Sequence, residues 1–153
     1  MRTNTLPDGY EHSFDPARVD VDLVWRTLAS LYWSPNVRRD IVETALTNSI
    51  VLGVYAADGG QVAYARVVSD RATFAWVCDV FVLEAHRGKG IAHAIITRLH
   101  AHPELQTVRR WMLGTADAHE IYNAFGYATL VETGRLMDRR NPPERWQDTD
   151  PIA

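Results

Sequence analysis

The segment 78–92 constrains the fold of this chain more than any other. It begins as an apolar run typical of a buried strand and continues through a short polar turn containing Gly88 and Gly90. Apolar residues then recur at four-residue spacing over 91–99, which predicts a helix that ends before Pro103. Glycines between a strand and a helix start expose unpaired backbone N–H groups at the positive end of the helix dipole. The sequence therefore predicts a site for a phosphorylated cofactor.

Composition limits the class of protein. The 153 residues are 46% hydrophobic and 23% charged, typical of one globular domain with a sizeable core. The net charge of −3 gives no electrostatic basis for nucleic acid as a partner. There is no run of about 18 apolar residues for a membrane span, and residues 1–9 lack the apolar core of a secretory signal. The single cysteine, Cys78, excludes an intramolecular disulfide, favours a cytoplasmic location and is expected to be a small buried hydrophobe.

The element order predicted from periodicity is β-α-α-β-β-β-α-β-α-β-β, an α/β (α+β) mixed sheet with helices on both faces. In chain order we expect a strand at 10–14, helices at 21–31 and 35–48, strands at 50–57, 61–68 and 73–83, a helix at 88–101, a strand at 108–113, a short helix at 118–125, and short strands at 127–130 and 135–137. The three central strands form an antiparallel meander. The strand at 108–113 returns through a helix and should lie parallel to the strand before the glycine turn.

The carboxyl-terminal residues differ in composition from the rest. We expect residues 1–140 to form a single domain and 141–153 a tail rich in proline and acidic residues. Trp146 is the largest apolar side chain of the tail and its only aromatic one. The tail is therefore either loosely attached or folded over the body through that tryptophan.

The glycine turn does not match two common phosphate-binding loops. A Walker loop requires Gly-x-x-x-x-Gly-Lys-Ser/Thr, whereas the turn and its helix start, residues 88–92, contain no serine or threonine to hold magnesium. A dinucleotide fingerprint requires Gly-x-Gly-x-x-Gly, and His93 stands at its third glycine. Taken alone, the segment is equally compatible with a plain structural turn.

The same residues resemble the GNAT N-acetyltransferase superfamily. Its signature, Arg/Gln-x-x-Gly-x-Gly/Ala, opens a helix directly after a long apolar strand, and every defined position is filled by Arg87-Gly88-Lys89-Gly90-Ile91-Ala92. The strand residues 79–82 and the segment 121–127, which contains a Tyr-x-x-x-Gly-Phe/Tyr pattern, also look like the family. The resemblance spans about residues 50–127 at motif level and makes 1–140 a single GNAT-type acetyltransferase domain.

The resemblance implies a site for acetyl coenzyme A as co-substrate. The N–H groups of the turn would bind the pyrophosphate, and the backbone of the preceding strand would bind the pantetheine arm where that strand separates from 108–113. The implied cofactor-binding residues are Val80, Phe81, Val82, Arg87, Gly88, Lys89, Gly90, Ile91, Ala92 and Asn123.

Acetyl transfer from a thioester to an amine requires two proton movements. The resemblance implies that Tyr122 protonates the departing thiolate, although the ring could instead pack in the core and only hydrogen-bond the cofactor. Asp79 is the candidate base, but it could equally bind a neighbouring strand or the substrate ammonium. His93, His100 and His102 do not form an i, i+4 pair, so no metal site is expected.

The predicted function is transfer of an acetyl group from acetyl coenzyme A to a primary amine of a small molecule or peptide, by direct attack in a ternary complex. One alternative is a non-catalytic module that binds or senses acyl coenzyme A, and another is a nucleotide-binding protein of a different fold. The acceptor pocket is expected opposite the cofactor, and an edge strand near the carboxyl terminus could support a homodimer. Aromatic candidates for the pocket wall, each also explained as ordinary core, are Trp25, Tyr32, Trp33, Tyr64 and Trp76.

Overall fold

The computed structural model describes residues 5–149, which form one mixed sheet with helices on both faces. Its strands lie side by side in chain order: β1 (Glu11–Ser13), β2 (Ile50–Tyr55), β3 (Gln61–Ser69), β4 (Phe74–Val82) and β5 (Arg110–Leu113). The first four are antiparallel neighbours, and β5 is parallel to β4 because the chain returns through a helix. The α/β fold class and the central meander predicted from the sequence are confirmed.

Four α-helices accompany the sheet within the described residues: α1 (Val21–Ser30), α2 (Arg39–Thr47), α3 (Ile91–His100) and α4 (His119–Asn123). Single 3-10 turns occur at Pro16–Arg18, Glu84–His86, Pro103–Leu105 and Pro143–Arg145. The second helix begins later than the expected residue 35. Ser34 does not cap it, because its hydroxyl donates to the Leu28 carbonyl at the end of α1, over 2.8 Å.

Strand alternation divides the core between the two faces of the sheet. On one face, α3 covers β2–β4 residues that include Leu52, Val67 and Val77. On the other face, α1 and α2 cover Tyr64 and Phe81. Because successive side chains of a strand point to opposite faces, each strand contributes to both clusters.

A bulge interrupts the alternation of β4 next to the glycine turn. Tyr64 pairs with Phe81 and Arg66 pairs with Cys78, so two β4 residues oppose one β3 residue. Asp79, inside the bulge, has a φ of +56°, a left-handed conformation that aspartate adopts more readily than most residues. Before the bulge Val77 packs toward α3, and after it Phe81 packs toward α1 and α2. The bulge therefore turns the last part of β4 over.

The strands predicted at 127–130 and 135–137 are wrong. These residues have no strand structure, and the whole range 128–145 is exposed. Val131 and Met137 are 96% and 98% exposed, so the apolar pattern that suggested strands has no core to face. A strand requires a paired neighbour and a buried face, and these segments have neither. The element order of the described residues ends at α4.

The tail predicted for 141–153 contacts the body through its described part, up to residue 149. Trp146 packs against the α1–α2 cluster, and Gln147 forms a bridge with Val37. The Arg38 backbone N–H donates to the Trp146 carbonyl over 3.0 Å. Residues 150–153 lie outside the described part of the chain. Within residues 5–149, no helix combines the length and the apolar character needed to cross a bilayer.

Candidate active site

The glycine turn has the backbone geometry that an anion site requires. Gly88 and Gly90 have φ values of +77° and +83°, in the left-handed region that glycine enters without steric cost. No side chain caps α3 and its first turn carries no acidic residue, whereas Asp20 caps α1 by accepting from the Leu23 N–H. A Cβ at Gly88 would meet no atom within 4 Å. The uncapped N–H groups and the open space above them fit a phosphate group.

Basic side chains flank the turn. Arg87 is exposed, and its Nε donates to the Val82 carbonyl over 2.9 Å. The exposed ammonium of Lys89 lies 5.9 Å from the centroid of the Tyr10 ring, and the Tyr10 hydroxyl hydrogen-bonds to His86 Nδ1 over 2.7 Å. The amino-terminal segment thus braces the turn and leaves two cations beside it.

The sheet opens directly before the turn. The β4–β5 ladder ends at the pair Val77–Leu113, although β4 continues to Val82. Val80 and Val82 pack toward α3, whereas the Phe81 ring lies on the other face, 5.9 Å from the Tyr64 ring. The backbone beyond Val77 is therefore free of β5, and Phe81 can reach this opening only through its main chain.

Tyr122 lies on α4 beside the opening. Its half-buried ring packs against the α3-side cluster and, with Asn123, lines a cavity of about 310 Å³ that extends along β5 to Thr115. Burial, with a smaller effect from the charge of Asp117, raises the pKa of the Tyr122 hydroxyl. The hydroxyl is therefore protonated at neutral pH and can donate a proton.

A hydrogen bond behind Tyr122 was not foreseen from the sequence. His100 Nε2 lies 2.8 Å from the Tyr127 hydroxyl, and the rings of Tyr127 and Tyr122 meet edge to face with centroids 5.9 Å apart. Burial lowers the pKa of His100 and raises that of Tyr127. The His100 ring also meets the Trp111 ring at 4.7 Å. These contacts join α3, β5 and the residues after α4 behind the candidate acid.

Asp79 is held in an ion pair. Its Oδ2 lies 2.8 Å from Arg66 Nε, and the two side chains are only 14% and 17% exposed. Arg66 Nη1 also donates to Ser49 Oγ over 3.1 Å. Burial, the largest single effect, lowers the pKa of Arg66, but the charge and hydrogen bond of Asp79 together with the nearby Cys78 and Tyr64 outweigh it, so the pKa is raised. The structure therefore joins Asp79 to the neighbouring strand and not to Tyr122.

The other candidate residues divide into core and surface. Tyr64 is 1% exposed, and Trp25 donates its indole N–H to the Val37 carbonyl over 3.0 Å, so both belong to the core. Tyr32, Trp33 and Trp76 are exposed. Burial raises the pKa of the Cys78 thiol to about 12, so this cysteine is not a reactive thiolate. Among residues 5–149 no group of His, Cys, Asp or Glu is arranged to hold a metal ion.

Comparisons with known proteins agree on one family. A family model described as "Acetyltransferase (GNAT) domain" matches residues 48–129, more than half of the chain. A crystal structure of a GNAT-family protein from Xanthomonas campestris pv. campestris is 40% identical, with a TM-score of 0.84 over 90% of this chain and 96% of that one.

Two further relatives extend the comparison. A Gibberella zeae protein with an acetyltransferase name is 28% identical over 136 residues, 74% of this chain and 75% of that protein. An acetyltransferase structure from Clostridium acetobutylicum, solved with acetyl-CoA, shares the fold with a TM-score of 0.63 at 15% identity, over 86% of this chain and 94% of that one. The opened sheet, the glycine turn and the matched residues 48–129 show that this chain belongs to the GNAT acetyltransferase family.

Proposed function

We propose that this protein transfers the acetyl group of acetyl coenzyme A to a primary amine of a small molecule or peptide, within a ternary complex. The observation that carries the proposal is the separation of β4 from β5 after Val77, with the glycine turn at one end and Tyr122 beside it. The Clostridium fold neighbour solved with acetyl-CoA supports this choice of co-substrate.

The chain's own residues supply the binding contacts. The N–H groups of residues 88–92 would hold the pyrophosphate, with Arg87 and Lys89 adding positive charge. The main chain of 80–82, which lacks a β5 partner, would pair with the amide groups of the pantetheine arm. Asn123 lines the same cavity as Tyr122 and would contact the arm near its thioester end.

Tyr122 would supply the proton that the leaving group needs. The amine nitrogen attacks the thioester carbonyl carbon, so that a C–N bond forms and the C–S bond breaks. The thiolate sulfur takes the proton of the Tyr122 hydroxyl, and the amine loses a proton to water. That water-borne proton restores the hydroxyl, so one amine and one thioester give one amide and one thiol. Because burial keeps the hydroxyl protonated, Tyr122 is ready to act before the amine arrives.

We propose a supporting role for Asp79. Its carboxylate is already paired with Arg66, so it would hold the bulge and help to orient the incoming amine while water accepts the amine's proton. Asp79→Asn keeps the shape of the side chain and removes its charge. We expect this variant to raise KM for the amine more than it lowers kcat, in contrast to the 10²-fold or larger kcat loss of a missing general base.

The test is release of free thiol from acetyl coenzyme A with a panel of primary amines, alongside calorimetric binding of coenzyme A, ATP and NAD. The proposal requires coenzyme A binding and turnover of at least one amine. Binding of coenzyme A without turnover of any amine would favour the non-catalytic module. Tight binding of ATP or NAD and none of coenzyme A would favour a nucleotide-binding protein.

A further inference from the structure

We propose that the acceptor is an amine with a single positive charge and an aromatic group, and that the aromatic group binds on an open apolar face of the sheet. This inference rests on the proposed acetyl transfer. The binding surface, called here the open sheet face, consists of Val68 on β3, Phe74 and Trp76 on β4, and Met112 on β5.

Strand alternation and register place these side chains together. Val67 and Val77 are 0% and 3% exposed in the α3-side core, so their neighbours Val68 and Trp76 point to the opposite face. Val68 is paired with Trp76, and Trp76 is paired with Met112. Three apolar side chains therefore form a row across three adjacent strands.

Helices α1 and α2 pack on the same side of the sheet but leave this part of it uncovered. They bury the far end of the same face, where Tyr64 is 1% exposed and Phe81 is 6% exposed. Val68, Phe74 and Trp76 are 44%, 37% and 37% exposed. A solvent-facing strand normally carries polar residues at such positions, and contiguous exposed apolar side chains indicate a binding surface.

The open sheet face is continuous with the candidate reaction centre. The pair Trp76–Met112 directly precedes Val77–Leu113, the last pair before the sheet opens. At the end of β5 the Tyr32 hydroxyl accepts from the Ala116 N–H over 3.2 Å, and Tyr32 is close enough to Tyr122 to influence its pKa. An acceptor lying on the face would thus extend toward the opening and the Tyr122 hydroxyl.

Charge selects among amines. Of the described residues, the charged side chains at outward positions of β3–β5 around the face are Arg66 and Arg110, with Asp79 already paired to Arg66. Because Asp79 offsets the charge of Arg66, the cation that remains beside the face is Arg110, and a polyamine lying on the face would place a further positive charge against it. An aromatic amine would instead stack on Trp76 and on the guanidinium of Arg110, which is paired with Phe74.

The test compares amines that differ in one group. Initial rates of thiol release are measured with phenethylamine, ethylamine and spermidine for the wild type and for Trp76→Ala. We expect kcat/KM for phenethylamine to exceed that for ethylamine and for spermidine by about tenfold or more. Trp76→Ala should lower kcat/KM for phenethylamine much more than that for ethylamine and so remove most of this preference, and Trp76→Phe should retain it. Val131→Ser, which alters an apolar side chain that is 96% exposed and lies outside the face, is the control.

Failure of this proposal is distinguishable from failure of the proposed function. Preference for spermidine or ethylamine, or equal loss of both rates in Trp76→Ala, would overturn the aromatic acceptor while acetyl transfer stands. If coenzyme A binds and no amine reacts, the proposed function fails. In that case phenethylamine is added and the Trp76 indole N–H resonance, assigned with Trp76→Phe, is followed. A shift of this resonance would still show that the face binds aromatic amines. If the resonance does not shift, the aromatic-binding face is overturned too.

Discussion

Tyr122 is the residue on which the proposed chemistry depends most. Burial raises the pKa of its hydroxyl above the ordinary value of about 10, so wild-type kcat should fall only in strongly alkaline solution as the acid is lost. We expect Tyr122→Phe to lower kcat by about 10-fold or more, to leave KM for acetyl coenzyme A nearly unchanged, and to abolish that alkaline decline. Thiol-release kinetics across pH measure all three. Unchanged turnover in a folded variant would remove Tyr122 from the mechanism.

His100 should make stability depend on pH. Burial lowers the pKa of its imidazole below the ordinary value of about 6.5. Between the two values the unfolded chain binds the proton more readily, so stability is lost as the pH falls through about 6.5 toward the folded pKa. We expect the fall in Tm between about pH 7.5 and pH 5.5 to be smaller in His100→Phe than in the wild type.

The comparison needs a control because His12 contributes in the same direction. Burial also lowers the His12 pKa, helped by the charge of Arg98, so part of the pH effect should survive in His100→Phe. The variant also loses the hydrogen bond to Tyr127, so its Tm should be lower at every pH. The quantity to compare is therefore the slope of Tm against pH and not Tm itself. His119→Gln, at an exposed position, should keep the full slope. An identical slope in wild type and His100→Phe would contradict the assignment.

At the scale of single elements, two substitutions in the glycine turn before α3 should affect protein stability and coenzyme A binding differently. Gly88 has a φ of +77°, which an ordinary L-residue adopts at a cost of about 1–2 kcal/mol, whereas asparagine tolerates it. We expect Gly88→Ala to lower the free energy of unfolding by about 1 kcal/mol. Gly88→Asn should be closer to the wild type in stability yet bind coenzyme A more weakly, because its side chain occupies the open space above the turn.

Urea unfolding and calorimetry with coenzyme A measure these two quantities. Gly59→Asn, at a hairpin position with a φ of +85° and open space around it, is the matched control and should change neither coenzyme A binding nor stability by much. If Gly88→Asn binds coenzyme A as tightly as the wild type, the turn is not the phosphate site.

Elements could be predicted from the sequence where the interactions that form them lie between residues close together in the chain. The turn and α3 were predictable because glycine conformation and four-residue apolar spacing act within about 15 residues. The bulge at Asp79 was not, since two β4 residues oppose one only when β3 is in place. The strands expected at 127–130 and 135–137 failed for the same reason. Their alternation is present in the sequence, but β5 spans only Arg110–Leu113 and pairs with no further strand among the described residues.

On the scale of the whole molecule, the site depends on contacts between distant parts of the chain. Arg66 meets Asp79 across a strand pair, and His100 meets Tyr127 across 27 positions of sequence. Neither pair belongs to a motif, so the chemical roles could be anticipated only where the GNAT signature covers the residue. The candidate acid was foreseen in this way, whereas the groups that hold it in place were not.

The carboxyl-terminal tail is also held by contacts with a distant part of the chain, and these contacts can be tested. Besides the Trp146 contacts, the Asp148 N–H donates to the Asn36 carbonyl over 2.8 Å, and Gln147 Nε2 donates to the Pro35 carbonyl over 2.9 Å. These bonds fix the segment that follows Tyr32 and Trp33. We therefore propose that residues 141–149 act as a clamp on the α1–α2 connection and are not a loose appendage.

Trp146→Ala should reveal that clamp. Removing a half-buried indole from the α1–α2 cluster should lower the free energy of unfolding by about 2 kcal/mol, as measured by urea denaturation. Since the clamp fixes the segment after the exposed aromatic pair Tyr32–Trp33, KM for the amine should also rise while KM for acetyl coenzyme A stays the same. Met137→Ala, at a side chain that is 98% exposed, should change none of these quantities. Wild-type stability in Trp146→Ala, or in a chain ending at Arg140, would instead show that the tail is only loosely attached.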